Sequence, residues 1–437
     1  MSEPHPHVPH LTTALSGPLQ ALESLFLDQQ TSIETWFRQQ WLSTPAPLYA
    51  SVDLRNAGFK LAPVDTNLFP AGFNNLNPAF LPLCIQALQS AVEHNCPTTV
   101  RVLLLPEDHT RNLYYLESLA TLQEILIKSG FETRIGSLRD DLIEPWETDL
   151  PGGRTIRLEP VRRHGKRLML ADFDPCLILL NNDLSAGRPG ILEDLEQPIA
   201  PPLEAGWSQR RKTTHFMHYA QVAREFAELI DLDPWLIDPL FRGCGKINFK
   251  TREGEECLIE NVEQLLSEIR ERYRTHGIDR EPFVMIKADA GTYGMAVMSA
   301  RSVDDVAQLN RKQRNKMAAS KGGQSVSEVL IQEGVYTFET WGDSAAPAEP
   351  VVYMMDHYVV GGFYRVHTER GPNENLNAPG MHFQPLAFEE SCITPDRHLE
   401  PDASPNRFYA YGVVGRLALV AAARELAALR ADKDKAA

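Results

Sequence analysis

Cysteine, long apolar runs and targeting signals are scarce or missing in this chain, and each absence excludes a class of protein. The six cysteines in 437 residues lie far apart, and no two have CxxC spacing. This spacing argues against a disulfide framework or a zinc site and fits reduced thiols in a cytoplasmic protein. No apolar stretch approaches the roughly 18 residues of a membrane-spanning helix. The first ten residues, MSEPHPHVPH, have neither a basic start nor an apolar segment, so we do not expect a secretory signal.

Positive charge is also in short supply. The 43 Lys and Arg residues are outnumbered by 58 Asp and Glu, which gives a net charge of −15. Nucleic-acid binding needs a basic face, so we expect small molecules as partners, with no nucleic acid and no membrane; a homo-oligomer is left open. The apolar fraction of 43% is typical of a globular protein, and the length predicts two or three packed units.

Strand and helix patterns alternate in the first half of the chain, which predicts an α/β (α+β) fold class. Buried-looking strands at 98–107 and 168–183 flank an amphipathic helix at 112–130, an order typical of a parallel layer. We predict four regions: a tail with helices (1–44), an N-terminal α/β domain (45–200), a second mixed region (201–385), and a C-terminal loop with a long helix (386–437).

A polar stretch, YASVDLRNAGFKLAPVDTNLFPAGFNNLNP, begins at residue 49. It lacks a clear period and carries Asp53, Arg55, Asp65 and Asn67 on loops or short strands. Such a stretch between ordered elements is either part of a functional site or a surface connection.

A single lysine ends the apolar run FVMI in the stretch EPFVMIKADAGTYGMAVMSA. The run at 283–286 predicts a short buried strand, and Lys287 is costly to bury unless an anion pairs with it. Gly291 and Gly294 follow, and glycines let backbone amides approach a ligand closely. The stretch is either a hairpin that holds a phosphate or an ordinary hairpin whose lysine reaches solvent.

The later half adds polar groups at the ends of apolar strands. The chain has no GxxxxGK[ST] loop and no GxGxxG after a strand, so the usual phosphate loops are excluded. The strand VLI leads instead into Gln332-Glu333-Gly334-Val335, and two further strands are joined around Asp356. The second of them leads to Arg365 and to an Asn-rich loop near residue 375.

This order of elements resembles the ATP-grasp superfamily, specifically bacterial glutathione synthetase, over about 240–385. Three segments, FVMIKADAGTYGMAVMS, LNRKQRNKMAASKGG and VLIQEGVYTFE, more closely resemble the proteobacterial type of glutamate–cysteine ligase, as does DLRNAGFKLAPVDTNLFPAGFNNL. The closer resemblance covers most of the chain. It implies an ATP-grasp-like region after the N-terminal domain.

The resemblance implies an ATP-dependent ligase, with Mg²⁺, that joins glutamate and cysteine through an acyl phosphate in the first step of glutathione synthesis. Lys287 and Arg365 would be catalytic. The ATP-binding residues would be Lys246, Lys250, Lys287, Gly291, Thr292, Tyr293, Gly294, Gln332, Glu333, Gly334 and Val335. By the same resemblance, the last four (332–335) would form a hinge whose backbone contacts adenine.

The metal and amino-acid ligands are less well defined, because ATP-grasp enzymes carry an acidic residue and a Glu-x-Asn on late strands, and no such strand follows Gly380. Oxygen chemistry makes Asp356, Glu374, Asn375 and Asn377 the Mg²⁺ candidates. A planar guanidinium holds a carboxylate at two points. Substrate candidates are therefore Arg55 or Arg365 for the glutamate α-carboxylate, Asp53 or Asp65 for an ammonium group, and Asn67.

Two basic segments allow two interpretations each. The triplet at 210–212 is a solvated helix start or an anion site, and the segment 310–323 is a solvated helix or a loop that closes over ATP. Two other functions fit the same pattern: another ATP-grasp carboxylate–amine ligase such as glutathione synthetase, and a nucleotide-binding regulatory module without catalysis.

Overall fold

The computed structural model describes residues 11–12, 17–108, 112–291, 295–319, 325–385 and 407–436. The helices in these ranges are α1 (Pro18–Asp28), α2 (Gln30–Ser43), α3 (Leu81–Asn95), α4 (Leu113–Lys128), α5 (Lys212–Ile230), α6 (Glu255–Thr275), α7 (Asp304–Ala307), α8 (Arg311–Met317) and α9 (Arg407–Ala436). Within these ranges, no helix combines the length and the apolar character that a bilayer crossing requires.

The strands, in chain order, are β1 (Leu11–Thr12), β2 (Tyr49–Asn56), β3 (Leu61–Asn67), β4 (Arg101–Pro106), β5 (Glu132–Ser137), β6 (Trp146–Asp149), β7 (Thr155–Pro160), β8 (Arg162–His164), β9 (Arg167–Met169), β10 (Leu177–Asn181), β11 (Ile199–Ala200), β12 (Phe241–Gly245), β13 (Val284–Ala288), β14 (Val297–Ala300), β15 (Glu328–Glu333), β16 (Thr340–Trp341), β17 (Ala346–Met355), β18 (Tyr358–Val366) and β19 (His382–Pro385). They form three larger sheets and the small β8–β9 hairpin.

The first sheet has the order β11-β10-β4-β5-β7-β6, in which β6 pairs antiparallel and the other strands pair parallel. Buried strands β4 and β10 carry unbroken apolar runs, as strands covered on both faces do. The predicted parallel layer is confirmed. Pro106 pairs with Asn181, so the carboxyl ends of these two neighbouring strands meet at one edge.

The second sheet combines strands from both ends of the chain. Its order is β1-β16-β17-β18-β19, and the β2–β3 hairpin adds to it through pairing of β2 with β17. The polar stretch beginning at residue 49 therefore forms two strands of this sheet. Because they pair across the predicted boundary at 200–201, the division into domains stays a prediction.

The third sheet is antiparallel, with the order β12-β15-β13-β14 and α6 packed against it. The hairpin predicted around Lys287 is confirmed, since β13 pairs antiparallel with β14. The C-terminal α9 is buried over most of its length and packs on β2, β3 and α5. The mixed α/β fold with a long final helix is as predicted.

Candidate active site

A cleft of roughly 670 Å³, including its solvent-open mouth, separates the second sheet from the third. Side chains of opposite charge dominate its walls. It is lined by Asp53, Arg55, Val64, Asp65, Lys212, Met285, Lys287, Ala288, Gly291, Met295, Val297, Glu333, Val335, Glu349, Arg365, Asn375 and Asn377. We call it the first cleft.

Two carboxylates face each other on the β2–β3 hairpin at one wall of this cleft. Asp53 and Asp65 are direct partners in the antiparallel register, and Ser51 and Asn67 are the next pair on the same face. Facing residues of a strand pair lie about 4.5–5.5 Å apart, and two like charges there destabilise the hairpin unless cations offset them. The fold thus places a focus of negative charge beside the cleft.

Arg365 and Arg55 offset part of this charge through a buried network. Arg365 NH1 donates to Asp53 Oδ2 at 2.7 Å and to Glu349 Oε1 at 2.5 Å, and Arg55 Nε donates to Glu349 Oε2 at 3.0 Å. Burial raises the pKa of Asp53, although Arg365 opposes this rise. Burial would also raise the pKa of Glu349, but the two arginines outweigh this effect and lower that pKa.

The two arginines differ in the groups that they leave for a ligand. Arg55 is fully engaged, because NH1 donates to Val335 O at 3.2 Å and NH2 donates to Glu374 O at 2.5 Å. The Nε of Arg365 is buried without a hydrogen-bond partner in the described part of the chain. Of the two predicted carboxylate ligands, Arg365 is therefore the one with an available donor.

Lys287 extends from β13 into the cleft, as the sequence predicts. Its Nζ donates to Val64 O and to Gln332 Oε1, both at 2.7 Å. Burial of the ammonium group, with further repulsion from Lys212 and Arg55, lowers the pKa of Lys287 to about 8, while Asp65 opposes this shift. These two hydrogen-bond partners are neutral oxygens, so the positive charge of the ammonium group can still pair with an anion in the cleft.

The start of α5 brings a second lysine to the cleft. Lys212 Nζ donates to Asp65 Oδ1 at 2.6 Å. Burial alone would raise the pKa of Asp65, but Lys212 and Lys287 outweigh it and lower that pKa. Thr213 donates through N and Oγ1 to the carboxylate of Asp289 at 2.8 and 2.7 Å, which ties α5 to the segment after β13.

A second and larger cleft shares a wall with the first. Asp53, Asp65, Arg365 and Asn377 line both. The rest of the second cleft is lined by Ser51, Asn67, Phe69, Ala71, Gly72, Asn74, Asn75, Glu107, Asn112, Tyr114, Tyr115, Ser118, Asp183, Val351, Tyr353, Phe363, Met381, His382 and Phe383. Glu107 and Asp183 follow the adjacent parallel strands β4 and β10, at the edge where ligands of open α/β sheets bind.

The predicted adenine hinge at 332–335 lies at the cleft, but most of its groups serve the fold. Glu333 Oε2 accepts from Lys60 Nζ at 2.7 Å. Gly334 N donates to Phe283 O at 2.8 Å, and a Cβ at Gly334 would lie 2.2 Å from the Phe283 ring, so packing alone requires this glycine. Gln332 Nε2 is the hinge donor that is buried without a partner among the described residues.

Among the predicted site residues, Lys246, Lys250 and Asp356 line neither the first cleft nor the second. Lys246 and Lys250 lie exposed on the turn after β12. Asp356 lies at the turn between β17 and β18, where His94 Nδ1 and His357 Nδ1 contact its carboxylate at 2.7 and 3.0 Å. Seven residues separate it from Glu349 along β17, which is about 23 Å at 3.3 Å per residue.

The remaining predicted residues divide into three groups. Asn375 and Asn377 line the first cleft. The Glu374 side chain does not; its carboxylate accepts from Arg370 NH1 at 3.0 Å and from Gly371 N at 2.7 Å. Gly291 lines the cleft with φ 101°, a conformation that favours glycine. Thr292, Tyr293 and Gly294 lie outside the described residues.

The residues available for a magnesium ion fit a site that shares its ligands with phosphate. No three or more His, Cys, Asp or Glu side chains within the described ranges cluster as metal ligands. Mg²⁺ is usually held by one or two carboxylates together with substrate phosphates, and the facing pair of Asp53 and Asp65 meets that requirement. Asp356 does not, because of its position.

Sequence reasoning missed two side chains of this site as predicted ligands. Glu349 is the single acidic residue in the ten-residue buried strand β17, and a buried acid in such a strand is a signal for a paired charge. Lys212 belongs to the basic triplet at 210–212, for which an anion site was one of the two interpretations. The other two triplet members pair with carboxylates, Arg210 with Glu425 and Arg211 with Glu328.

Comparisons with known proteins identify the family of this chain. The family model GshA, described as glutamate-cysteine ligase, matches residues 23–426. A crystal structure from Methylobacillus flagellatus KT, provisionally named a gamma-glutamylcysteine synthetase, is 62% identical with a TM-score of 0.88, and the match covers 96% of this chain and 99% of that one.

A more distant match, a glutathione synthetase-like effector from Globodera pallida, is 10% identical with a TM-score of 0.35, and covers 84% of this chain and 80% of that one. No curated protein matched the sequence.

Proposed function

Because the chain belongs to the glutamate–cysteine ligase family, we propose that it forms γ-glutamylcysteine from ATP, glutamate and cysteine through an acyl phosphate. One observation carries the proposal. The first cleft, which holds Lys287, Lys212 and Arg365, shares a wall with a second cleft that holds acidic groups. A polyphosphate fits the former and amino acids with ammonium groups fit the latter, so the reaction would occur at the shared wall.

A carboxylate is a poor electrophile at neutral pH, and phosphorylation supplies the leaving group that an amine can displace. In this reaction the γ-carboxylate of glutamate attacks the terminal phosphorus of ATP, and ADP leaves. The amine of cysteine then attacks the acyl carbon, loses a proton, and releases phosphate. Phosphoryl transfer depends mainly on positioning and on neutralising charge, which matches a site rich in cations.

Each charged group at the shared wall has a role in this scheme. Lys287 pairs with the phosphates, and Gly291 lets the loop that follows β13 approach them. Arg365 has a free Nε for the α-carboxylate of glutamate, which is a carboxylate ligand that a guanidinium suits. Asp53 and Asp65 would hold Mg²⁺, which supplies positive charge to the phosphates when bound.

The test uses the full-length protein with ATP, Mg²⁺, glutamate and cysteine, and follows phosphate release together with the mass of the dipeptide. With hydroxylamine in place of cysteine, an acyl phosphate should be trapped as the glutamyl hydroxamate. Phosphate release that requires γ-glutamylcysteine and glycine instead would assign the chain to the second step of the pathway. ATP binding without turnover on any amino acid would favour the regulatory module.

A matched pair of variants tests the location of the site. Lys287→Met should lower kcat/KM by at least 100-fold, since charged hydrogen bonds are worth roughly 1.5–3 kcal/mol in binding and more in a transition state. Lys250→Met changes an exposed lysine outside the first cleft and should leave kcat/KM unchanged. Equal effects of the two substitutions would contradict the assignment.

A further inference from the structure

Lys212 is a buried lysine at the start of α5. Its side chain is 7% exposed, and its Nζ lies 4.3 Å from the centre of the Trp207 ring. A lysine on a surface helix start would keep its ammonium group in water. Desolvation of this group is costly, so its position beside Asp65 calls for a physical reason.

The backbone of Lys212 is fixed to the strand that carries Lys287. Lys212 N donates to Asp289 O at 2.8 Å, and the Asp289 carboxylate accepts two hydrogen bonds from Thr213. Asp289 comes two residues after Lys287 in the chain. The two lysines are therefore held in a constant relation, with Lys212 on the Asp65 carboxylate and Lys287 on the carbonyl oxygen of the preceding residue, Val64.

Contacts of Arg210 hold the same segment at a second point. Arg210 donates to both carboxylate oxygens of Glu425, at 2.8 and 3.0 Å, and its NH1 donates to Thr66 O at 3.0 Å. Thr66 is the residue after Asp65. With its backbone held at both points, Lys212 can change its partner by rotation of its own side chain.

The location of Lys212 indicates which ligand group it would contact. Lys212 lines the first cleft, and its partner Asp65 lines both clefts, so the ammonium group lies where the proposed nucleotide and amino-acid sites meet. The group that crosses this boundary is the terminal phosphoryl group. We infer that Lys212 exchanges Asp65 for an oxygen of this group and holds it during transfer, an inference that rests on the proposed function.

The β- and γ-phosphates can be distinguished by nucleotide binding alone. We would measure Kd by calorimetry, with Mg²⁺ present, for ADP and for the non-hydrolysable analogue β,γ-methylene ATP. Lys212→Met should weaken the analogue at least tenfold and ADP less than threefold, because a charge-assisted contact to the terminal phosphate is lost. Lys212→Arg should keep most of the affinity for the analogue.

Arg211→Met is the matched control. Arg211 is the preceding residue, and its Nε contacts the exposed Glu328 at 2.9 Å, so its loss should change neither Kd. An equal loss of ADP and analogue in Lys212→Met would show damage to the whole cleft and overturn the inference. An unchanged Kd for the analogue would also overturn it.

Further outcomes distinguish a failure of this inference from a failure of folding or of the proposed function. If Lys212→Met does not fold, as judged by circular dichroism, the same ratio of the two Kd values in Lys212→Gln decides the question. If the parent protein binds neither nucleotide, the proposed function fails. If the parent binds the analogue and turns over while the ratio is unchanged in the variant, only the role of Lys212 fails.

Discussion

Glu333 belongs to the predicted adenine hinge, and its substitution should affect stability through a buried lysine. Its Oε2 accepts from Lys60 Nζ at 2.7 Å, Trp235 Nε1 at 3.2 Å and Leu240 N at 3.0 Å. Both partners of the ion pair have side chains only 1% exposed. Burial lowers the pKa of Lys60, and Glu333 opposes that shift. Glu333→Gln keeps an oxygen for Trp235 and Leu240 but leaves the lysine charge unpaired.

The free-energy cost of that unpaired charge cannot exceed the cost of deprotonating Lys60, because the neutral amine carries no charge to bury. Removing the proton from a lysine of pKa about 10.4 costs about 4.6 kcal/mol at pH 7 and about 1.9 kcal/mol at pH 9, at 1.36 kcal/mol per unit. Removing one partner of a buried pair typically costs about 3–5 kcal/mol. The pKa of Lys60 is already lowered by burial in the parent, and in Glu333→Gln it falls further below the unfolded value. The unfolded state then binds more protons, so the stability of the variant relative to the parent rises with pH.

The assay is urea unfolding of parent and variant at pH 7 and pH 9. We expect a loss of about 3–4.6 kcal/mol at pH 7 that shrinks to about 1.9 kcal/mol or less at pH 9. Adding Lys60→Met to Glu333→Gln removes the unpaired charge and should recover most of the loss. Glu328→Gln, in the same strand but in an exposed pair with Arg211, should cost less than about 1 kcal/mol.

A loss below about 1 kcal/mol at pH 7 would refute this reasoning, as would a loss that does not change with pH. Either result would mean that the ammonium group of Lys60 remains solvated or finds another anion in the variant. The Glu333 carboxylate would then be available for a ligand.

Three other perturbations test separate parts of the structure. Affinity for ATP should be constant below about pH 8 and fall up to tenfold per pH unit above it, because the pKa of Lys287 is about 8 and its protonated form binds phosphate; calorimetric titration between pH 6.5 and 9.5 measures this, and a flat profile would contradict it. Gly334→Ala should cost about 1–3 kcal/mol from overpacking against the Phe283 ring, measured by urea unfolding, and Phe283→Leu should reduce that cost. Glu425→Gln should destabilise the protein at neutral pH by about 3–5 kcal/mol through the unpaired Arg210. The pKa of Glu425 is about 2, so the stability from this group is present above pH 4.3 and is lost as pH falls through 2 in acid unfolding of the parent; the variant should lack this dependence.

Local patterns were sufficient to predict the elements whose form depends on neighbouring residues. The unbroken run at 283–286 predicts β13, and the alternation of elements around α4 predicts the parallel sheet. In each case the pattern lies in the residues that form the elements themselves, so periodicity decides the outcome.

The charge network of the site could not be predicted in this way. Arg365 contacts Asp53 across 312 positions of sequence, and periodicity indicates which face of a strand is buried but not which strand lies beside it. Asp356 shows the same limit of sequence analysis for a residue that lies away from the site. Its residue type suits Mg²⁺, but only the length and direction of β17 show that it lies at the far end of the strand.

Two carboxylates of the first cleft come from the N-terminal β2–β3 hairpin. In the sheet, β2 occupies the edge of β17, and the facing pair Asp53 and Asp65 reaches the first cleft from there. Spatial position within the sheet, not order in the chain, brings these oxygens to the lysines. A scan along the chain therefore finds Lys287 and Arg365 more than 200 residues after Asp53 and Asp65, with no local signal to join them.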